Sequence, residues 1–222
     1  MSLAAVWGVS FVATRAALPS VPPLPLAALR FDVVAAVTLA YAALTTERWY
    51  PRTRAEWRVV LLGGTLFVAL HHALLFAGQQ YVTSAVASVI VSLDPVLAAG
   101  FGWVLLADER IDRGGLLGLC AGLLGVVVMV NPVGGAETAS PIGVFLVFLS
   151  AVAFALGAVL TRRYRTDLPV RSMQAWMMVV GAPQLHLAER VSPTPGFEAV
   201  EWTTPALVGF AYLALVAGVG GY

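Results

Sequence analysis

Asp94 and Pro95 carry the clearest chemistry in this 222-residue chain, because both stand near the middle of a long apolar stretch, Ser84–Leu106. In a hydrocarbon environment an ionisable side chain at that depth costs about 2.5–3.5 kcal/mol, which a partner, a wet cavity or neutralisation must offset. Pro95 has no N–H, so in a helix the carbonyl of Val91 loses its usual donor beside the carboxylate. A kinked helix offering an acid and a spare carbonyl suits a cation, an amine or a proton. Capping or pairing with a neighbouring helix is the structural alternative for Asp94. Arg30 stands about one and a half turns inside a second apolar stretch. It is either the counter-ion of an anionic group (a substrate carboxylate, Asp94 or Asp32) or a side chain snorkelling along its own stem. His71 and His72 share a third stretch; adjacent helical residues point about 100° apart, so at most one is expected to face a given cavity. A titratable imidazole there suits proton coupling, and a hydrogen bond between helices is the structural option. Trp7, Ser10 and Thr14 fall on one helical face and either line a path or pack against the next helix.

Other chemistries find no support. Cys120 is the single cysteine, so an internal disulfide and a cysteine-rich metal site are excluded. No His-x-x-Glu-His spacing or Gly-x-Ser-x-Gly motif occurs, so no metal, cofactor or catalytic constellation is expected. The net charge of +1 gives no basis for nucleic-acid binding. Gly114, Gly118 and Gly122, with Gly125 beyond, form a small-residue ridge expected to serve helix packing, within one bundle or at a homodimer interface. Gln79, Gln80 and Tyr81 are expected at an external interface. Pro183, His186 and Glu189 are expected near the external end of the seventh stretch. The cluster from Asp108 to Arg113 reads as a solvated turn.

The elements that position these residues are membrane helices. Charged residues make up 11% of the chain, hydrophobic ones 59%, and the mean hydropathy is +0.86; a soluble domain carries roughly 25% charged residues. Eight apolar stretches are expected as helices: Ser2–Leu18, Leu24–Thr45, Trp57–Gly78, Ser84–Leu106, Leu116–Val130, Ile142–Leu160, Ser172–Ala188 and Pro205–Tyr222. Helices satisfy their own backbone where water is absent. All 13 basic residues are arginine, and ten fall in connectors two-three, four-five and six-seven, against Arg15 and Arg190 on the other side. That bias places the arginine-rich connectors in the cytoplasm, in a multi-pass protein of the cytoplasmic membrane.

The chain also repeats itself. The run from Trp7 to Arg15 overlies that from Phe154 to Arg162 at an offset of 147, and Leu61–Gly63 overlies Leu207–Gly209 at 146. Spans one to five then form one copy (1–131) and spans six to eight the start of another (142–222). Since five is odd, the copies are inverted with respect to each other, as in many secondary transporters. By the same register roughly 55 residues and two spans of the second copy are missing, and the fragment alone is not expected to transport.

Four runs carry a family resemblance: Trp7-Gly8-Val9-Ser10-Phe11-Val12-Ala13, Leu29-Arg30-Phe31, the stretch Ser84 to Val96 containing Asp94-Pro95, and Leu105-Leu106-Ala107-Asp108-Glu109-Arg110. Together they resemble the EamA-type branch of the drug/metabolite transporter superfamily, more strongly over residues 1–131 than beyond. That family usually carries Glu-Pro where Asp94-Pro95 stands here, so the carboxylate is kept with a shorter reach. The resemblance implies ten helices in two inverted halves that move metabolites such as amino acids out of the cytoplasm. The expected function is therefore secondary transport by alternating access. A small-molecule substrate, the lipid bilayer and a coupling proton or cation are the expected partners. A membrane scaffold and an intramembrane enzyme are the competing readings.

Overall fold

The computed structural model describes residues 3–106, 112–130, 140–192 and 194–219, and among these the only regular elements are helices. The expected turns at Asp108–Arg110 and Asn131–Gly135, the breaker Pro193, and the side chain of Trp7 lie outside the described residues. The helices are α1 (Leu3–Ala17), α2 (Pro23–Thr45), α3 (Arg54–Gly63), α4 (His71–Gly78), α5 (Ser84–Val91), α6 (Asp94–Leu105), α7 (Arg113–Val130), α8 (Pro141–Arg163), α9 (Val170–Val191) and α10 (Thr204–Ala211). Among the described residues, four helical stretches are long and apolar enough to cross a membrane: Pro23–Thr45, Arg54–Gly78, Ser84–Leu105 and Pro141–Arg163.

Local sequence explains where the helices begin. Proline occupies the first turn of α2, α6, α8 and α10, where its missing N–H costs nothing. Thr53 and Glu56 form a reciprocal capping box at the start of α3. Thr83 and Thr203 cap α5 and α10 through their side-chain oxygens.

Three of the expected spans are not plain α-helices. Between α3 and α4 the backbone widens into a π-helical stretch, Gly64–Leu70, and a second one, Tyr212–Val219, continues α10. Such widening is rare and is seen mostly at functional sites. The Ser84–Leu105 span breaks at Ser92 and Leu93, so Asp94 begins a new helix. Pro95 supplies the physical reason, because its ring cannot continue an unbroken ladder.

α2 and α9 make the most extensive contact in the molecule; α4 and the first π stretch pack on α8, and α1 packs on α10 and its π continuation. Two glycine contacts permit this closeness. A Cβ on Gly181 of α9 would stand 2.8 Å from the Gly64 carbonyl oxygen, and one on Gly209 of α10 would stand 2.7 Å from that of Ala13. The core between these helices holds Phe31, Val34, Phe76, Ile90, Leu185 and Leu213, all essentially inaccessible.

The arginine-rich end is closed by aromatic residues. Trp176 donates from Nε1 to the Trp49 carbonyl at 2.9 Å, stacks on the Trp49 ring and meets Trp57 edge-on. Arg48 pairs with the buried Glu56, and Ser172 donates to the Arg48 carbonyl at 2.9 Å. This is the tryptophan belt expected where helices leave a bilayer. α7 stands at the edge. Among the described residues outside its own helix, no atom lies within 4 Å of a Cβ built on Gly118 or Gly125; one on Gly114 meets Asp112, and one on Gly122 meets Leu93 in the break between α5 and α6.

Candidate functional site

Polar groups from three helices meet in one narrow cleft of about 30 Å³. α1 supplies Ser10 and Thr14, α2 supplies Arg30, and α4 supplies His71, His72 and Gln79. Phe11, Leu75, Phe76, Val91 and Ala217 form its apolar walls. The volume is room for about one or two waters, well below the roughly 300–1,000 Å³ of an open small-molecule site.

Each polar side chain is held in a specific way. Arg30 is 6% exposed, and its guanidinium lies 5.1 Å from the Phe31 ring centre and 6.0 Å from that of Phe76. Facing aromatic rings stabilise a cation partly removed from water. His71 Nδ1 is 3.0 Å from the Ser150 carbonyl oxygen on α8. His72 Nδ1 lies 3.0 and 3.1 Å from the carbonyl oxygens of Phe67 and Val68. Carbonyls only accept, so Nδ1 is the donor in both histidines, and Nε2 remains as the acceptor of each neutral ring. Both carbonyls belong to the π stretch, and that of Val68 also accepts from the His71 backbone N–H. Thr14 donates to the Ser10 carbonyl at 2.8 Å, and Ser84 donates to that of Phe11 at 3.2 Å.

The two histidines both line the cleft, contrary to the expectation from helical angles. Their ring planes meet at 87° with centres 4.6 Å apart. His71 is drawn toward α8 and His72 back along its own helix, so the rings converge although their Cα–Cβ bonds diverge. The adjoining layer is aromatic: His71 leans on Phe154 at 5.1 Å, and Phe154 meets Phe67 edge-on at 4.9 Å. Beyond these two rings, toward the arginine-rich end, a second cleft is lined by Met173, Met177, Met178, Thr161 and Arg162.

Asp94 does not join this group. It is 8% exposed and its Oδ1 has no hydrogen-bond partner among the described residues. Its near neighbours Leu93 and Leu97 belong to a separate apolar cluster with Ala151 and Ala155 on α8. Val91, three residues earlier, is the part of this segment that reaches the cleft. Asp32 is also apart from Arg30, since its carboxylate accepts from His186 Nε2 at 2.9 Å between α2 and α9.

Gln79, expected at an external interface, follows the last residue of α4; it is 1% exposed, and its Oε1 has no hydrogen-bond partner among the described residues. His72, Phe76 and Gln79 follow helical spacing and share one stripe. The Gln79 backbone carbonyl accepts from Arg15 Nη1 at 2.7 Å, so an α1 cation caps the C-terminal end of α4.

Comparison with known proteins gives a consistent picture. Residues 1–131 match the model of the EamA-like transporter family. The chain is 29% identical over 213 residues to the uncharacterized transporter YvbV of Bacillus subtilis, covering 96% of this chain and 68% of the relative. It is 27% identical to the uncharacterized inner membrane transporter YedA of Escherichia coli, covering 96% and 67%. A probable amino-acid metabolite efflux pump of Salmonella typhimurium is 25% identical, with 98% and 72% covered. The chain thus spans about two thirds of the length of these relatives. One solved crystal structure superposes with a TM-score of 0.61 at 22% identity, over 96% of this chain and 74% of its own; that likeness concerns the fold alone.

Proposed function

Because the chain belongs to the EamA-like transporter family, we propose that it forms most of a secondary transporter exporting small amino-acid-like metabolites by alternating access, with the Arg30 cleft as its substrate site. The relatives are named as transporters, one of them as an inner membrane transporter and one as a probable amino-acid metabolite efflux pump. The observation that carries the site is the convergence of Arg30, His71, His72, Gln79, Ser10 and Thr14, from three helices, on one cleft with apolar walls. Polar groups within a membrane bundle are costly and mark substrate or ion pathways; here Thr14, His71 and His72 are held by backbone carbonyls.

An inverted pair of repeats, 1–131 and 142–222, accounts for the packing. If the first, second and third spans exchange with the sixth, seventh and eighth, the contacts of α1 with α10 and of α4 with α8 swap places. The contact of α2 with α9 maps onto itself. The repeat register of 146 also lays the end of the first π stretch, Leu66–Leu70, over the start of the second, Tyr212–Val216. Such folds place the substrate site between the halves; here the cleft is lined by residues of 1–131, with Ala217 from the second repeat closing one side. The arginine-rich connectors face the cytoplasm, and Asp94 serves as a coupling site for a proton or cation, apart from the substrate.

The test uses the full-length protein in sealed proteoliposomes loaded with a mixed metabolite pool, with efflux followed by mass spectrometry. Selective efflux of carboxylate-bearing metabolites, lost in Arg30→Gln, is the expected result. Efflux unaffected by Arg30→Gln would remove the cleft from the mechanism, and efflux unaffected by Asp94→Asn would remove Asp94 from coupling.

A further inference from the structure

A third cleft, of about 360 Å³, opens between α2 and α9 at the arginine-rich end. It is far larger than the Arg30 cleft and falls in the size range of sites that hold an organic ligand. Two helical stripes line it, Thr38 and Tyr41 on α2 and Arg171, Gln174 and Met178 on α9, and Val219 adds an apolar wall. The spacings of three and four residues set each stripe on one face of its helix. The exposed Arg171 guanidinium lies 5.3 Å from the Tyr41 ring centre, a contact that holds the cation in place. Among the described residues no carboxylate pairs with it, and Glu56, the buried acid of this end, is taken by Arg48. The Thr38 hydroxyl is committed to the Val34 carbonyl at 2.6 Å. The donors left to a ligand are those of Arg171, Gln174 and Tyr41, a set that answers an acceptor-rich anion. Ser172 and Trp176, on either side of Gln174, are tied to the carbonyls of Arg48 and Trp49, each at 2.9 Å. The cleft therefore stands level with the tryptophan belt, where lipid headgroups lie. From Tyr41 the exposed residues Ala40, Val37 and Ala36 run along α2 toward the middle of the span. A cation at headgroup level with an apolar strip below it fits the plan of an anionic phospholipid.

We propose that this cleft binds an anionic phospholipid of the leaflet at the arginine-rich end, its phosphate on Arg171 and Gln174 and an acyl chain along the exposed strip of α2. Basic pockets between membrane helices bind such headgroups, and a planar guanidinium matches a phosphate through two parallel N–H···O bonds. α2 and α9 make the most extensive contact in the molecule, so the lipid lies across the seam between the two proposed repeats. The site is separate from the Arg30 cleft and stands whatever the substrate is.

The experiment compares phosphatidylglycerol with phosphatidylcholine of the same acyl chains, bound to the full-length protein in detergent micelles and counted by native mass spectrometry. Wild type is expected to favour phosphatidylglycerol. Arg171→Gln is expected to lower that preference about fivefold, the worth of one arginine at a charged lipid surface. Arg171→Lys keeps the charge and is expected to keep most of the preference, which separates a lost cation from a folding defect. Arg52→Gln is the matched control, because Arg52 lies 4.8 Å from the Tyr50 ring centre at the same end but outside this cleft; it is expected to leave the preference unchanged. An equal loss in Arg52→Gln would mean general attraction to a basic end and would overturn the site, as would a preference unchanged in Arg171→Gln or absent from the wild type. Glycerol phosphate at the same concentration is expected not to displace the lipid; displacement would assign the cleft to a soluble phosphate and overturn the lipid reading.

Discussion

Replacing His72 by leucine tests whether the π stretch and the cleft depend on one side chain. In the wild type a single Nδ1–H serves the carbonyls of Phe67 and Val68, at 3.0 and 3.1 Å. The Val68 carbonyl also accepts from the His71 backbone N–H, so the loss falls on the Phe67 carbonyl, and leaving a buried acceptor without its donor costs about 1–3 kcal/mol. The His72 ring also meets Phe31 edge-on at 4.4 Å, and such aromatic contacts contribute about 0.5–1.5 kcal/mol. His72→Leu is therefore expected to lose about 2–4 kcal/mol on these two contributions together. His72→Gln retains an N–H donor and should recover the hydrogen-bond part. The assay is equilibrium unfolding in mixed micelles as the fraction of a denaturing detergent rises. The effect should reach function too, because Phe31 carries the Arg30 guanidinium on its face and loses its lateral support. Substrate affinity should fall in the leucine variant more than in Gln. A leucine variant within about 0.5 kcal/mol of wild type, the range of changes that disturb nothing, would refute the reasoning.

Three further outcomes are expected. Gly209→Ala places a Cβ 2.7 Å from the Ala13 carbonyl oxygen, so it should cost about 1–3 kcal/mol by forcing α1 and α10 apart, read as a lowered unfolding midpoint. Gly118→Ala, where a Cβ meets no atom within 4 Å, should instead stabilise the same detergent-solubilised protein by roughly 0.5–1 kcal/mol through reduced backbone freedom; destabilisation would mean that another chain covers the ridge. Trp176→Phe keeps the aromatic packing but removes the 2.9 Å hydrogen bond to the Trp49 carbonyl, and about 1 kcal/mol should be lost in thermal unfolding.

The sequence alone determined the class and the outline of this protein. Helices follow from apolar runs that must satisfy their backbone internally, and Pro23, Pro95, Pro141 and Pro205 mark the starts of α2, α6, α8 and α10 to within a residue or two. The motif around Asp94-Pro95 was sufficient to indicate the family that the comparison then found over residues 1–131. Arg30, His71, His72, Ser10 and Thr14 could be chosen because polar groups in apolar spans are few and costly. Which of them share a site was decided only by the tertiary structure. Helical angles set the direction of a Cα–Cβ bond, but the carbonyls of Ser150, Phe67 and Val68 decide where the two imidazoles turn. Those partners depend on how α8 packs and on a π stretch that no local propensity announces. Gln79 looked like a span end in one dimension and is buried because α1 closes over it, with Arg15 on its carbonyl. Asp94, the most conspicuous residue in the sequence, belongs to a different cluster because the break at Ser92 and Leu93 sets the course of α6 along α8. Depth along a helix is legible from residue counting; azimuth and neighbours are properties of packing, and they decide the chemistry.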